Sequence, residues 1–172
     1  MNTQNPGGNA PVIDVIVEAG NWPDERFLQD LFNRSFTAAC RGADLKFLKS
    51  SELSVLCTND QAIQALNKQW RDKNKATNVL SFPASEPQDD VYGPLLGDIV
   101  FGFETVEREA DELGIEFQAH LTHLVVHGIL HLFDYDHQED DEAELMESLE
   151  VKILSDLGLE NPYIDRPLMP DA

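Results

Sequence analysis

The sequence predicts a single α+β domain in which a small sheet of about four strands packs with about five helices, one of them a central histidine-bearing helix. Three observations lead there. Short β-branched runs and longer stretches of helical period mix along the chain without strict alternation. The 172 residues are the size of one ordinary domain and can bury a real core. Apolar residues (42%) and charged residues (26%) stand at globular levels.

Residues 1–11 are polar and rich in Gly, Asn and Pro, and read as a flexible tail without the apolar stretch of a signal peptide. The domain then runs over residues 12–163, followed by a tail at 164–172. Residues 12–18 are β-branched and apolar and predict a strand. Residues 24–40 carry Phe27, Leu31 and Phe32 at helical spacing. A short strand at 53–57 precedes Thr58 and Gln61, which form a capping-box pattern, and Ile63, Leu66 and Trp70 give the helical period behind it. Residues 78–82 predict a third strand stopped by Pro83, residues 84–94 a polar loop, and residues 98–101 a fourth strand. Residues 103–113 predict a helix ended by Gly114, residues 116–132 the most apolar helix, and residues 140–157 a last helix whose acidic first turn suits the macrodipole.

The formal charge of −20 taken alone argues against nucleic acid. The basic residues are nevertheless uneven: four of the twelve, Lys68, Arg71, Lys73 and Lys75, fall within eight positions and make a local positive patch. Cys40 and Cys57 form neither a disulfide framework nor a CxxC knuckle, which points to a reduced cytoplasm. No apolar run reaches the length of a membrane span.

Four of the five histidines lie between positions 120 and 131. At ~100° per residue, His120, His123, His127 and His131 share one arc of a helix that is otherwise largely apolar. Burying neutral imidazoles costs free energy unless each has a partner, and a metal is such a partner. The i, i+4 spacing of His127 and His131 aims both rings at one point, and His137, just beyond the helix, is placed to return as a third ligand. Three protein ligands leave a fourth position open, the pattern of a catalytic zinc. The plainer reading of HxxxH is a pair of hydrogen-bonded core histidines. His123 reads either as a residue supporting the metal or substrate, or as a satisfied core histidine; His120 reads as structural or solvated.

The segment His127-Gly-Ile-Leu-His-Leu-Phe-Asp-Tyr-Asp-His137 resembles the HGxLHLxGYDH signature of the YbeY family of bacterial metal-dependent endoribonucleases. Arg71, Lys73, Thr77 and the run Asn78-Val-Leu-Ser-Phe-Pro83 are similar to the family's R-x-K-x-x-T-D-V-L-S-F-P stretch, and Leu96-Gly-Asp-Ile-Val100 to its LGDI strand. Asp140-Asp-Glu-Ala143 with Met146 and Glu150 resembles its acidic last helix. The resemblance implies one zinc ion on His127, His131 and His137. It implies single-strand-specific cleavage in ribosomal RNA maturation, including the 3′ end of 16S rRNA, and ribosome quality control. Partners implied are ribosomal RNA, ribosomal particles, and ribosomal proteins or assembly GTPases, with no membrane. Two departures stand out. Asp134 replaces the signature glycine, at a cost of about 1 kcal/mol if the backbone there is left-handed. Asn78 replaces the family's Asp.

Within that resemblance Arg71 is the candidate catalytic residue, clamping phosphate; Lys68, Lys73, Lys75 and His123 are candidate substrate-binding residues; and Asp98 and Asp136 are candidate carboxylates behind the histidines. The plainer readings are a solvated helix-end arginine, solvated loop lysines and a turn or capping role for Asp136. A zinc peptidase of the HExxH type is disfavoured, because Gly128 stands where its glutamate base would be. Two rivals stay open: a metal hydrolase for a small phosphoester or amide, and a ribosome-associated binding factor with structural zinc. Polymeric RNA preference separates the first rival, and a fourth protein ligand would favour the second.

Overall fold

The computed structural model describes residues 11–84, 86–136 and 138–164. Four strands and five helices follow in the order β1 (Val12–Val17), α1 (Glu25–Ala43), β2 (Glu52–Thr58), α2 (Asp60–Arg71), β3 (Val79–Pro83), β4 (Leu95–Gly102), α3 (Phe103–Leu113), α4 (Phe117–Leu132) and α5 (Asp140–Asp156). The α+β expectation therefore holds, with a mixed sheet of order β1-β2-β4-β3. β1, β2 and β4 are parallel, and β3 is an antiparallel edge strand. The expected tails lie outside the described residues except for Pro11, which is buried, and Ile164, which is exposed. Among the described residues no helix is long and apolar enough to cross a membrane.

Strand alternation divides the molecule into layers. Leu53, Val55 and Cys57 of β2, Ile99 and Phe101 of β4, and Val79 of β3 face the main core with α1, α4 and α5. Leu56, Leu80, Phe82 and Val100 face the other way, where Ile63 and Leu66 of α2 cover them. α4 is buried on nearly every side, which explains its lack of a polar stripe. It sits between the sheet and the helices α1, α3 and α5.

Two glycines let α4 lie close to the sheet. A Cβ on Gly128 would come within 3.1 Å of Ile99 and 3.2 Å of the Ser81 hydroxyl. Ser81 Oγ in turn donates to the Gly128 carbonyl at 3.3 Å. Gly97 has φ +138°, and a Cβ there would meet the Phe82 carbonyl at 2.4 Å and the Leu132 side chain at 2.9 Å.

The helix ends differ from the capping pattern in one place. Thr58 is not the cap of α2. It is the last, buried residue of β2 and donates to the Glu18 carboxylate at 2.7 Å, while Asn59 caps the helix by accepting from Ala62 N at 2.9 Å. Asp60 then takes a second part: its carboxylate accepts from Thr105 N at 3.0 Å, and Glu104 accepts from Asp60 N at 2.7 Å, tying the starts of α2 and α3 together.

Candidate metal centre

α4 presents His123, His127 and His131 along one side, toward α5, as helical spacing requires. The feature that organises them is Glu150 of α5. It lies on the buried row Met146, Glu150, Ile153 and Leu154, with none of its surface exposed. His127 Nδ1–H donates to Glu150 Oε2 at 2.8 Å, and His123 Nε2–H donates to Glu150 Oε1 at 2.7 Å. Tyr163 O–H makes a short hydrogen bond to the same Oε1. Burial by itself would raise the Glu150 pKa. The hydrogen bonds from His123 and His127 outweigh it and hold the carboxylate well below the usual range. Tyr163 moves the opposite way: burial and then the adjacent Glu150 charge push its hydroxyl far up, so it stays a donor.

An ionised carboxylate only accepts, so it fixes the His127 tautomer with the proton on Nδ1 and the lone pair on Nε2. That Nε2 lies 3.0 Å from Nε2 of His131, with the two rings nearly perpendicular and their centroids 4.5 Å apart. A tetrahedral zinc with bonds near 2.0–2.1 Å would hold two nitrogens about 3.3 Å apart. The donor set therefore fits zinc: two imidazole nitrogens converge at nearly ligand spacing, and one is oriented from behind by a carboxylate. Among the described residues two imidazoles converge in this way. The third expected ligand, His137, lies outside the described residues. The chain leading to it turns back at the end of α4 through Asp134 N to His131 O at 3.1 Å and Tyr135 N to Leu130 O at 3.1 Å.

Asp134 has φ +68°, the left-handed position that the signature glycine suits. Its carboxylate accepts from Tyr92 O–H at 2.7 Å, which helps offset the backbone cost. Burial, followed by this hydrogen bond and the Asp134 charge, pushes the Tyr92 hydroxyl up.

Asn78 is fully buried in a second network, at the N-terminal end of α4. Its Oδ1 accepts from Val79 N at 2.6 Å and its Nδ2 donates to Glu109 Oε1 at 3.0 Å; His120 Nε2 lies 2.8 Å from the same oxygen. His120 is thus a structural histidine. The family's Asp at position 78 would here set a second carboxylate against Glu109. Asn78→Asp is accordingly expected to destabilise the fold by about 3 kcal/mol. Urea unfolding checks this, and an unchanged midpoint would show that the network does not select the amide.

The other candidates are distributed differently. Lys68 and Arg71 are exposed on the last turn of α2, and Lys73 and Lys75 on the loop after it, across the sheet from α4. That loop is held in place: Asn67 Nδ2 donates to the Lys75 carbonyl at 2.9 Å, Lys73 N donates to the Asn67 carbonyl at 3.2 Å, and Gln64 Nε2 donates to Asn74 Oδ1 at 3.2 Å. The edge strand β3 joins the two regions, since Ser81 bonds to α4 while its neighbour Phe82 packs under Trp70 of α2. Asp98 does not stand behind the histidines. It is exposed on the α2 side of β4, opposite Phe82 in register. Glu150 takes the role that had been expected of Asp98. Asp136 is half-buried in the turn after α4. The two thiols are pushed up to about 12 by burial, so neither is a nucleophile at neutral pH.

The sequence model of the family described as Endoribonuclease YbeY matches residues 20–158. The chain belongs to this family. The Endoribonuclease YbeY of Rhizobium meliloti (strain 1021) is 53% identical over 166 residues, covering 90% of this chain and 96% of that relative. The Endoribonuclease YbeY of Agrobacterium fabrum (strain C58) is 52% identical over 158 residues, covering 88% and 94%. The solution structure of TM1509 from Thermotoga maritima aligns with a TM-score of 0.54 at 25% identity, over 86% of this chain and 92% of that one. The histidine centre, Arg71 and the edge strand between them all fall inside the stretch matched to the YbeY family, and so does Glu150.

Proposed function

We propose that this chain is a zinc-dependent endoribonuclease that cuts single-stranded RNA during ribosomal RNA maturation, including the 3′ end of 16S rRNA, and in ribosome quality control. Its partners would be ribosomal RNA and ribosomal particles, met in the cytoplasm together with ribosomal proteins or assembly GTPases. The observation that carries the zinc part is the pair of Nε2 atoms 3.0 Å apart, with His127 oriented from behind by a buried, ionised Glu150. Membership of the endoribonuclease family supports the RNA part.

His127, His131 and His137 would hold the ion. When bound, zinc makes water a usable nucleophile near neutral pH and draws charge from a phosphoryl oxygen. The chain's own residues do the rest. Glu150 keeps the His127 proton on Nδ1 and prevents ring rotation. Arg71 would clamp the scissile phosphate bidentately and stabilise its charge in the transition state. Lys68, Lys73 and Lys75 would guide the strand toward the centre around the β3 edge. His123, buried against Glu150 and Tyr163, would act on substrate only by steadying the carboxylate. A side chain at Gly128 would press on Ile99 and Ser81 of the sheet, so the position does not suit a peptidase base aimed at the histidines.

Single-strand binding tests the assignment. A charge of −20 opposes RNA at long range, but salt screens it beyond roughly 8 Å at physiological ionic strength, leaving local charge to decide. If all four basic residues meet phosphates, the slope of log affinity against log salt should be no steeper than about −3, from roughly −0.7 per contact. Reversing Lys68, Lys73 and Lys75 to Glu should weaken binding and flatten that slope with metal retained. Filter binding over a salt series reads both, and an unaltered affinity and slope would place the RNA path elsewhere.

A further inference from the structure

Trp70 is exposed where its helix position would have buried it. The inward row of α2 is Ile63 and Asn67, both buried, and Trp70 extends it by three residues and by seven from Ile63. Yet 63% of Trp70 is exposed. The sheet runs out beneath it: the indole meets the ring of Phe82, near the end of the edge strand β3, at a centroid distance of 6.2 Å and an interplanar angle of 64°. An edge-on contact of this kind steadies the ring and leaves a flat face in water.

The surroundings decide what such a face fits. Lys68 and Arg71 flank Trp70 on the same helical turn, and Lys73 and Lys75 follow on the loop pinned by Asn67 and Gln64. Asp72 interrupts the run, and Asp98 is exposed on the neighbouring strand, so the patch is modestly rather than strongly positive. Phosphates and unpaired flat bases together are what single-stranded RNA offers, and aromatic side chains beside basic tracks bind it by stacking.

We propose that Trp70 is a base-stacking platform: one unpaired base of the RNA lies on the outer face of the indole while the flanking phosphates meet Lys68, Arg71 and the pinned loop. The proposal rests on the reading of the chain as a single-strand ribonuclease. Stacking also supplies register, because a base held on Trp70 fixes which phosphate reaches Arg71, one residue away.

The test uses the full chain labelled with fluorotryptophan, in which the two tryptophans give separate fluorine NMR signals assigned with Trp70→Phe. Trp22 is an internal control, since it is tucked against Phe103 and Phe117 and donates to the Thr58 carbonyl. The probe is a nuclease-resistant 2′-O-methyl oligoadenylate, compared with an abasic oligomer of equal length and charge. The Trp70 signal is expected to shift with oligoadenylate while the Trp22 signal stays. Trp70→Ala should weaken oligoadenylate binding about 5- to 100-fold, with Trp70→Phe in between. The abasic oligomer should bind wild type and Trp70→Ala alike, and the salt slope should not change. Oligoadenylate binding with an unmoved Trp70 signal and an unimpaired Trp70→Ala would overturn stacking and leave the ribonuclease reading standing. No binding of either oligomer by the wild type would overturn both.

Discussion

His127→Ala should take the metal content from about one zinc per chain to almost none and abolish cleavage of single-stranded RNA, because one of two converging imidazoles is lost and an open site needs three ligands. Glu150→Ala should reach a similar loss by a different route. It removes the acceptor from His123 Nε2–H, His127 Nδ1–H and Tyr163 O–H together, all on a carboxylate with no exposed surface. Leaving those donors unpaired should cost about 3–5 kcal/mol of stability. Glu150→Gln keeps the volume and separates the two effects. Its amide turns a donor toward one histidine, so zinc affinity should fall roughly 10- to 100-fold with a smaller loss of stability. Elemental analysis and urea unfolding on the three variants check this. Full metal content in His127→Ala would remove that residue from the centre, and full metal affinity in Glu150→Gln would reduce Glu150 to a packing role.

The sequence was most readable where physics is local. α3 runs over Phe103–Leu113 with Gly114 as its left-handed cap, as apolar spacing and glycine together predict. α4 begins one residue later than expected, after Glu116. The histidine arc was equally legible, because i, i+4 spacing is a property of one helix. Strand ends were less so: β4 extends back to Leu95 through Gly97, where the ladder shifts register opposite Glu52 and Leu53. That extension depends on hydrogen bonds to β2, across about 40 residues of chain, and not on side-chain pattern. The order β1-β2-β4-β3 is non-local for the same reason.

Glu150 was the main omission. The acids of α5 read naturally as a solvated face and a favourable first turn. The signal that sets Glu150 apart is its place in an apolar row, with Met146 four residues before and Ile153 and Leu154 after it. Glu109 repeats the pattern on α3 beside Val106 and Ala110. An acid on the inward row of a helix demands a buried donor, and this chain has a surplus of buried histidines on α4. Composition and periodicity reach that far; which histidine meets which acid depends on how α3 and α5 pack against α4. Asp98 could have been set aside from sequence. With Ile99 and Phe101 facing the core, strand alternation sends Asp98 to the opposite side of the sheet from α4.

Arg71→Glu is expected to separate chemistry from structure. Arg71 is exposed at the end of α2, and Asp72, not Arg71, makes the capping bonds to Asn67 and Lys68. Stability and zinc content should therefore stay within about 0.5 kcal/mol and experimental error of the wild type. Cleavage of single-stranded RNA should fall by at least about 100- to 1000-fold, the range for removing one group that stabilises transition-state charge, since the reversed charge also repels the phosphate. Arg71→Lys keeps the charge and loses the two-pronged fork, so it should fall between the two. Reversal of the three lysines serves as the contrast: it should weaken binding far more than it slows the bound complex. Single-turnover cleavage with circular dichroism and metal analysis distinguishes these outcomes. Full activity in Arg71→Glu would exclude the clamp. A zinc-loaded wild type that binds single-stranded RNA and leaves it uncut would favour a ribosome-associated binding factor with the same fold.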